Sequence, residues 1–161
     1  MTIILKKAEI QDAETILRIN TAAFNHDSRI FGDGGDGGPP GYNKLSHVQN
    51  KITNAAAYKI LLYGKIIGWF YFENVDENTV QLYNFSIDPS QQNRGFGVAA
   101  LEQMERLIPK NITRWVLKTP RYGVKYQHIY EKVGFRRVDD FSSSFLLMYE
   151  KPVNGGIMYD V

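Results

Sequence analysis

The chain has 161 residues, 43% of them hydrophobic, which is the size and composition of a single domain that can bury its own core. Its 19 basic and 17 acidic side chains leave a net charge of only +2, a balance that argues against nucleic acid as the main partner. Because there is no cysteine, disulfides, thiolate nucleophiles and cysteine metal sites are excluded, and the chain suits the cytoplasm.

The N-terminal third predicts a strand, a helix and a long loop. The first apolar run is too short for a signal peptide or a membrane span, and it predicts a strand over residues 2–7. Apolar residues at helical spacing predict a helix over 11–24. The segment 31–42 is rich in glycine, which favours a mobile lid or a partner-contacting loop, unless it is an insertion that binds nothing.

The middle of the chain predicts a helix over 45–54, a hairpin formed by 57–62 and 66–72, and a strand over 79–87. That last strand carries bulky side chains in both of its alternating sets, which is typical of a central strand covered on both sides. With strict alternation, one face of the strand carries Val80, Leu82, Asn84 and Ser86. The other face carries Gln81, Tyr83, Phe85 and Ile87. Asp88 and Pro89 end the strand, because proline cannot donate to a strand ladder.

The rest of the chain alternates helices with strands. A helix follows the strand 79–87 and ends before Pro109, and further strands are predicted over 113–118, 136–138 and 145–150. A helix over 124–133 lies between the first two of these strands. The complete order predicts an α/β (α+β) fold, a mixed sheet with helices on both of its faces.

Gly95 and Gly97 join the strand 79–87 to the next helix in a way that suits a phosphate. A helix N-terminus after a glycine turn offers unpaired amides and the positive end of the helix dipole. A side chain at either glycine would stand between those amides and the phosphate oxygens. Taken alone, a G-x-G after a strand is more often an ordinary turn, and the sequence lacks both the G-x-G-x-x-G fingerprint and the G-K-[ST] of a P-loop.

Two segments resemble the GNAT acetyltransferase superfamily. The segment QNRGFG (92–97) matches the Q/R-x-x-G-x-G/A loop with which that family binds acyl-CoA, and YEKVGF (130–135) resembles its Y-E-K-x-G-F ending. The two lie in the family's order and at about its usual separation. The first strand and helix fit as well, so the resemblance spans nearly all of a single predicted domain, 1–161. It implies a mostly antiparallel, splayed central sheet.

The resemblance implies acetyl-CoA as cosubstrate, lying where the strands 79–87 and 113–118 separate. The backbone at the end of the first strand would pair with the pantetheine amides, and the loop after it would enclose the pyrophosphate. The cofactor-binding residues implied are Phe85, Ser86, Ile87, Gln92, Asn93, Arg94, Gly95, Phe96, Gly97 and Val98. From the residues alone, Arg94 could equally be a solvated loop arginine.

The resemblance implies Tyr130 as the catalytic residue, whose hydroxyl would give a proton or a hydrogen bond to the departing CoA thiolate. Periodicity alone favours a core aromatic at this position, since Tyr130 flanks an apolar helical stripe. The chain departs from the family at two nearby positions. Gly123 replaces an asparagine that often contacts the cofactor, and Tyr126 replaces a small alanine and would narrow the channel.

The sequence offers no clear general base for the amine. Strand positions that would face the cleft hold Gln81, Tyr83 and Ser86, which are neither carboxylates nor histidines. Glu73, Asp76 or Glu77, in the turn before that strand, could act through water, although charged residues in such a turn are usually only solvated. The three histidines lack metal-ligand spacing and are expected at the surface, so no metal site is predicted.

The resemblance therefore implies an N-acetyltransferase that moves an acetyl group directly from acetyl-CoA to a primary amine of a small molecule or peptide. Three alternatives remain open: a transferase that uses another acyl-CoA, a non-catalytic acyl-CoA sensor, and a nucleotide-binding regulator. No membrane or nucleic-acid partner is predicted, and a homodimer is left open.

Overall fold

The computed structural model describes residues 2–138 and 144–157, which form a mixed sheet with helices on both faces. The strands are β1 (Ile3–Lys7), β2 (Ala56–Leu62), β3 (Lys65–Asn74), β4 (Thr79–Ile87), β5 (Arg114–Pro120), β6 (Arg136–Val138) and β7 (Leu146–Pro152). The helices are α1 (Ala13–Phe31), α2 (Leu45–Asn54), α3 (Phe96–Glu105) and α4 (Val124–Lys132), with 3-10 turns at Ile10–Asp12 and Pro89–Gln91.

The strands lie in the order β1-β2-β3-β4-β5-β7-β6. Every neighbouring pair is antiparallel except β4 and β5, which are parallel. This topology confirms the predicted mixed, mostly antiparallel sheet. The bounds of the strands lie within two residues of the predicted ones.

Helix α1 is longer than predicted. The prediction ended the helix at residue 24, whereas the observed helix continues to Phe31 and stops at Gly32. No proline or glycine interrupts the segment 25–31, so nothing in its sequence ends the helix before Gly32. The extra two turns carry α1 to the C-terminal end of β4.

Two clusters of buried side chains hold the helices to the sheet. On one face, Trp115, Leu101 and Met104 belong to a cluster that joins the sheet to α3 and α4. On the other face, Ile16 and Val48 pack with sheet residues beneath α1 and α2. Burial of a side chain of this size stabilises the fold by roughly 1.5–3 kcal/mol. The two clusters therefore hold the helices firmly against the sheet.

A bulge in β4 overturns the strict alternation expected for that strand. Opposite β3, Ser86 pairs with Trp69 and Tyr83 pairs with Tyr71, so β4 has one residue more than β3 in this stretch. Asn84 has a φ of 52°, in the left-handed region. Beyond the bulge, Phe85 packs on the same face as Leu82, whereas alternation placed the two on opposite faces.

Strands β4 and β5 separate after a short paired stretch. Their parallel pairing runs from Thr79 opposite Arg114 to Leu82 opposite Leu117. The stretch 83–87 of β4 continues to pair with β3, but among the described residues no strand pairs with its other edge. Backbone amides and carbonyls on that edge require other partners, which water or a ligand can supply.

Asn20 connects α1 to the sheet through a buried hydrogen-bond network. Its side chain is fully buried, and Oδ1 accepts from Trp69 Nε1 at 2.8 Å and from Ser86 Oγ at 3.1 Å. Its Nδ2 donates to the Tyr42 carbonyl at 2.9 Å. One amide therefore fixes α1 against β3, β4 and the loop before α2.

We expect Asn20→Ala to lower the free energy of unfolding by about 2–4 kcal/mol, because it leaves two buried donors without an acceptor. Urea denaturation monitored by circular dichroism measures the change. Asn50→Ala on the exposed side of α2 is the matched control, with an expected change within about 0.5 kcal/mol. Similar stability of the two variants would mean that the network contributes little.

Candidate active site

A cleft opens where β4 and β5 separate, and the ends of several elements line it. The unpaired edge of β4 forms one wall and Leu117–Pro120 of β5 the other. The turn after β4, the start of α3, one side of α4 and the last turns of α1 complete the lining. The cleft therefore lies at the point where a parallel pair of strands diverges and three helices meet.

The loop between β4 and α3 presents backbone amides to this cleft. Asp88 Oδ1 accepts from the Ser90 amide at 3.0 Å and starts a 3-10 turn. Gly95 precedes α3 with a φ of 83°, a conformation that glycine adopts without strain. The first helical hydrogen bond of α3 joins the Ala99 amide to the Gly95 carbonyl, so the amides of residues 96–98 have no acceptor within the helix.

Most of the predicted cofactor-binding residues line the cleft. They are Phe85, Ser86, Ile87, Gln92, Asn93, Gly95, Phe96, Gly97 and Val98. The Ser86 hydroxyl donates to Asn20, and Gln92 Nε2 donates to the Ile87 carbonyl at 2.9 Å. Some side chains of these residues are thus already hydrogen-bonded within the protein. The residues therefore offer a ligand mainly their backbone groups.

Arg94 differs from the other predicted residues because it does not line the cleft. Its guanidinium carbon lies 5.1 Å from the centre of the Phe96 ring, and Nη1 donates to Gln91 Oε1 at 2.5 Å. These two contacts join the Arg94 side chain to Gln91 and Phe96, which themselves line the cleft, and a contact between Arg94 and a phosphate stays a prediction.

Tyr130 lies both in the core and at the cleft, so its position suits each of the two roles that the sequence left open. Its side chain is buried and packs near Phe135 and Tyr149, with ring centres 6.0 Å and 6.1 Å away. It also lines the cleft. Burial, and then the negative charge of Asp27, raises the pKa of the Tyr130 hydroxyl well above its usual value, so the hydroxyl keeps its proton at neutral pH.

The structure brings a carboxylate into the cleft that sequence reasoning missed. Asp27, in the unpredicted part of α1, lines the cleft and accepts a hydrogen bond from Tyr126 Oη at 2.6 Å. Burial raises the pKa of Asp27, while the Tyr126 hydrogen bond and the positive fields of His26 and Lys125 oppose that rise. The larger side chain at position 126 therefore connects α4 to α1 across the cleft.

A signal for Asp27 was present in the sequence. The buried positions 13, 16, 20 and 23 of α1 advance by three and four residues in turn, and residue 27 is the next step of the same stripe. Ending the predicted helix at residue 24 removed Asp27 from consideration.

The acidic residues named from the sequence lie elsewhere. Glu73 Oε1 accepts from Lys51 Nζ at 2.9 Å. Asp76 and Glu77 lie in the turn before β4. Because each strand residue spans about 3.3 Å, the length of β4 places this turn roughly 25 Å from the C-terminal end of the strand, where the cleft lies. His47 is half-buried, contrary to the expected surface position, with its ring 6.2 Å from that of Tyr71.

Within 2–138 and 144–157, no group of three or more histidine, aspartate or glutamate side chains is placed to hold a metal ion. None of the helices in the same ranges has the length and apolar character that crossing a bilayer requires.

Comparison with solved structures shows which fold this is. The PaiA N-acetyltransferase from Thermoplasma acidophilum, in complex with coenzyme A, superposes with a TM-score of 0.72 at 17% identity, covering 94% of this chain and 99% of that chain. The ribosomal-protein-S18-alanine N-acetyltransferase from Escherichia coli gives 0.72 at 15% identity, covering 99% and 97%. The spermidine N-acetyltransferase from Vibrio cholerae, in complex with CoA and spermine, gives 0.71 at 17% identity, covering 93% and 95%.

Sequence comparison identifies the family. No curated protein sequence matches the chain significantly. The family model for the acetyltransferase (GNAT) family matches residues 10–135, which is most of the chain and includes both motifs that suggested the resemblance. The chain belongs to the acetyltransferase (GNAT) family of N-acetyltransferase enzymes.

Proposed function

We propose that the protein is an acetyl-CoA-dependent N-acetyltransferase that moves the acetyl group directly to a primary amine of a small molecule or peptide. The observation that carries this proposal is the unpaired edge of β4 at 83–87, which leads directly into the amides at the start of α3. Such an edge suits a ligand that contains amides and ends in phosphates, as the CoA arm does. Family membership supports the same reaction class.

The residues present fit the cosubstrate. The backbone of Phe85–Ile87 would bind the pantetheine amides, and the amides of residues 96–98 would bind the pyrophosphate. A Cβ built on Gly97 meets only the Phe85 ring, at 4.0 Å, so there is open space in front of these amides. Acetyl-CoA would supply an acetyl group already activated as a thioester.

Tyr130 would assist the leaving group. A thiol with a pKa of roughly 8.5 departs more easily when a neighbouring hydroxyl supplies a proton. The Tyr130 hydroxyl is protonated at neutral pH, and packing near Phe135 and Tyr149 fixes the ring.

The acceptor is proposed only as a class. Among the structural neighbours, one carries spermine together with CoA and another is an acetyltransferase for an alanine of a ribosomal protein. A small polyamine and a protein terminus share a primary amine, which is the class that we propose for this chain.

Two measurements test the proposed function. Calorimetric titration with acetyl-CoA, ADP and ATP separates a CoA-binding protein from a nucleotide regulator, and we expect acetyl-CoA to bind most tightly. A thiol-release assay with a panel of primary amines then separates an enzyme from a sensor. Binding of acetyl-CoA without acetylation of any amine would favour the sensor and refute the proposed reaction.

We expect shortening of residues 33–38 to two residues to change the KM or the selectivity for amines while leaving the acetyl-CoA Kd unchanged. No residue of this loop lines the cleft, but its Asp36 pairs with Arg29 and the Gly37 amide donates to Asn25 Oδ1 at 3.2 Å. The loop therefore restrains the end of α1, which borders the cleft.

A full-length loop carrying Asp33→Asn is the matched control, because it removes a charge without changing the length of the loop or its Asp36–Arg29 pair. Steady-state kinetics with the amine panel and calorimetry with acetyl-CoA measure both variants. Unchanged kinetics in the shortened variant would mean that the loop has no part in acceptor choice.

A further inference from the structure

Asp27 is the one carboxylate among the described residues that line the cleft. It projects from α1, on the opposite side of the sheet from α3 and α4, and still reaches Tyr126 of α4. It can do so because β4 and β5 have separated at this level. Asp27 therefore lies at the gap between β4 and β5, through which a side chain on one face of the sheet can reach a residue on the other face.

We propose that Asp27 receives the acceptor, binding the incoming ammonium group and taking the proton that the amine must lose before it reacts. This inference rests on the proposed function and adds the residue that prepares the nucleophile. It also narrows the acceptor to amines that arrive as cations.

The hydrogen bonding of Asp27 leaves room for a cation. Oδ1 accepts from Tyr126 Oη at 2.6 Å, and no described residue donates a hydrogen bond to Oδ2. Phe24, Tyr122 and Tyr126 also line this end of the cleft. A carboxylate oxygen bordered by aromatic rings suits an ammonium group, which gains an ion pair and cation–π contacts together.

Several titratable groups surround Asp27. His26 lies beside it on α1, and Lys125, Tyr126 and Tyr130 face it from α4. Tyr122, in the turn before α4, interacts electrostatically with the Asp27 carboxylate. Lys125 Nζ lies 5.7 Å from the centre of the Tyr126 ring. Burial raises the pKa of Asp27, which makes its carboxylate a stronger base than an exposed aspartate while leaving it able to ionise.

The proton transfers balance with Tyr130 as partner. An ammonium N–H bond breaks, its proton goes to Asp27 Oδ2, and the electron pair stays on nitrogen. That pair forms the bond to the thioester carbonyl carbon, and the C–S bond breaks with its pair on sulfur. Sulfur takes a proton from Tyr130 Oη. The second proton lost by nitrogen goes to Tyr130 Oη and restores the hydroxyl. Asp27 then releases its proton to solvent.

The test compares Asp27→Asn with the wild-type protein on two small amines of similar size. Ethylamine is an ammonium ion at neutral pH, whereas aminoacetonitrile is largely neutral there. A positioned base contributes about 10²–10⁴ in rate, so we expect kcat/KM for ethylamine to fall by at least about 100-fold. The loss for aminoacetonitrile should be at least tenfold smaller, because its nitrogen needs no initial deprotonation.

The pH profile separates a proton acceptor from a structural residue. With ethylamine, kcat/KM of the wild type should rise as Asp27 ionises, and Asp27→Asn should lack this rise. Tyr126→Phe removes a hydrogen bond that lowers the pKa of Asp27, so its profile should move to higher pH. Glu14→Gln, an exposed charge on the same helix and roughly 20 Å away, should leave the profile unchanged.

Each remaining outcome is decisive. Equal activity of Asp27→Asn and the wild type overturns the inference and leaves the proposed function intact. Loss of the pH-dependent rise in His47→Gln instead of Asp27→Asn would assign the base to His47, whose Nε2 lies 3.4 Å from Nδ2 of the cleft residue Asn84. A wild-type protein that binds acetyl-CoA and acetylates no amine of the panel, these two probes included, refutes the proposed reaction and the inference together.

Discussion

Gly97→Glu should raise the Kd for acetyl-CoA by more than about 100-fold, which corresponds to at least about 2.7 kcal/mol of binding free energy. The new carboxylate would project from the first turn of α3 into the space in front of the amides of residues 96–98. There it would occupy the proposed pyrophosphate position and repel the phosphates. Calorimetric titration with acetyl-CoA measures the effect.

The fold should tolerate this substitution. The nearest atom to a Cβ at Gly97 is in the Phe85 ring, at 4.0 Å, and the backbone at position 97 is not in the left-handed region. A carboxylate at a helix N-terminus is also favoured by the helix dipole. Thermal unfolding should therefore change little, as circular dichroism can verify.

Gly97→Gln is the matched control, because it has the same size and no charge. A loss of affinity that is large in both variants would assign the effect to bulk, and a loss confined to Gly97→Glu would assign it to charge. Undiminished affinity in Gly97→Glu would place the phosphate elsewhere.

The sequence predicted the elements of this fold well where side-chain periodicity determines them. Strand β4 and helix α2 have the predicted bounds. The mostly antiparallel, splayed character of the sheet came from the family resemblance, since periodicity does not state which strands are neighbours. The bulge at Asn84 was not predicted, because a single residue with positive φ leaves no periodic trace.

The candidate site was predictable in part for a related reason. Residues 92–98 form one continuous segment whose proposed function depends on backbone amides, so a short motif describes them almost completely. Asp27 is distant in sequence from that segment and reaches the cleft only because α1 continues beyond residue 24. Its contact with Tyr126 joins residues 99 positions apart, and no local pattern reports such a contact.

The position of Arg94 shows a limit of the motif itself. The resemblance implied a charge contact with the cofactor, and the segment around Arg94 does line the cleft. Its side chain makes a cation–π contact with Phe96 and a hydrogen bond with Gln91, and the motif specifies neither of these contacts. Its contact with a phosphate therefore stays a prediction.

Tyr130→Phe should lower kcat by about 100-fold and leave the Kd for acetyl-CoA nearly unchanged. The substitution keeps the ring that packs near Phe135 and Tyr149 and removes only the hydroxyl, so a loss of rate reports chemistry and not packing. A positioned general acid contributes about 10²–10⁴ in rate, or roughly 2.7–5.5 kcal/mol of barrier. We expect the lower end, because water at the open cleft can partly replace the hydroxyl.

Tyr149→Phe is the matched control for Tyr130→Phe. Tyr149 is also a buried tyrosine of the same cluster, but its hydroxyl donates to Glu131 Oε1 at 3.3 Å and it does not line the cleft. Its kcat should equal that of the wild type. Because product release can hide a slower chemical step, single-turnover kinetics must accompany the steady-state values. A single-turnover rate for Tyr130→Phe equal to that of the wild type would remove Tyr130 from the mechanism and leave it as a core aromatic at the edge of the cleft.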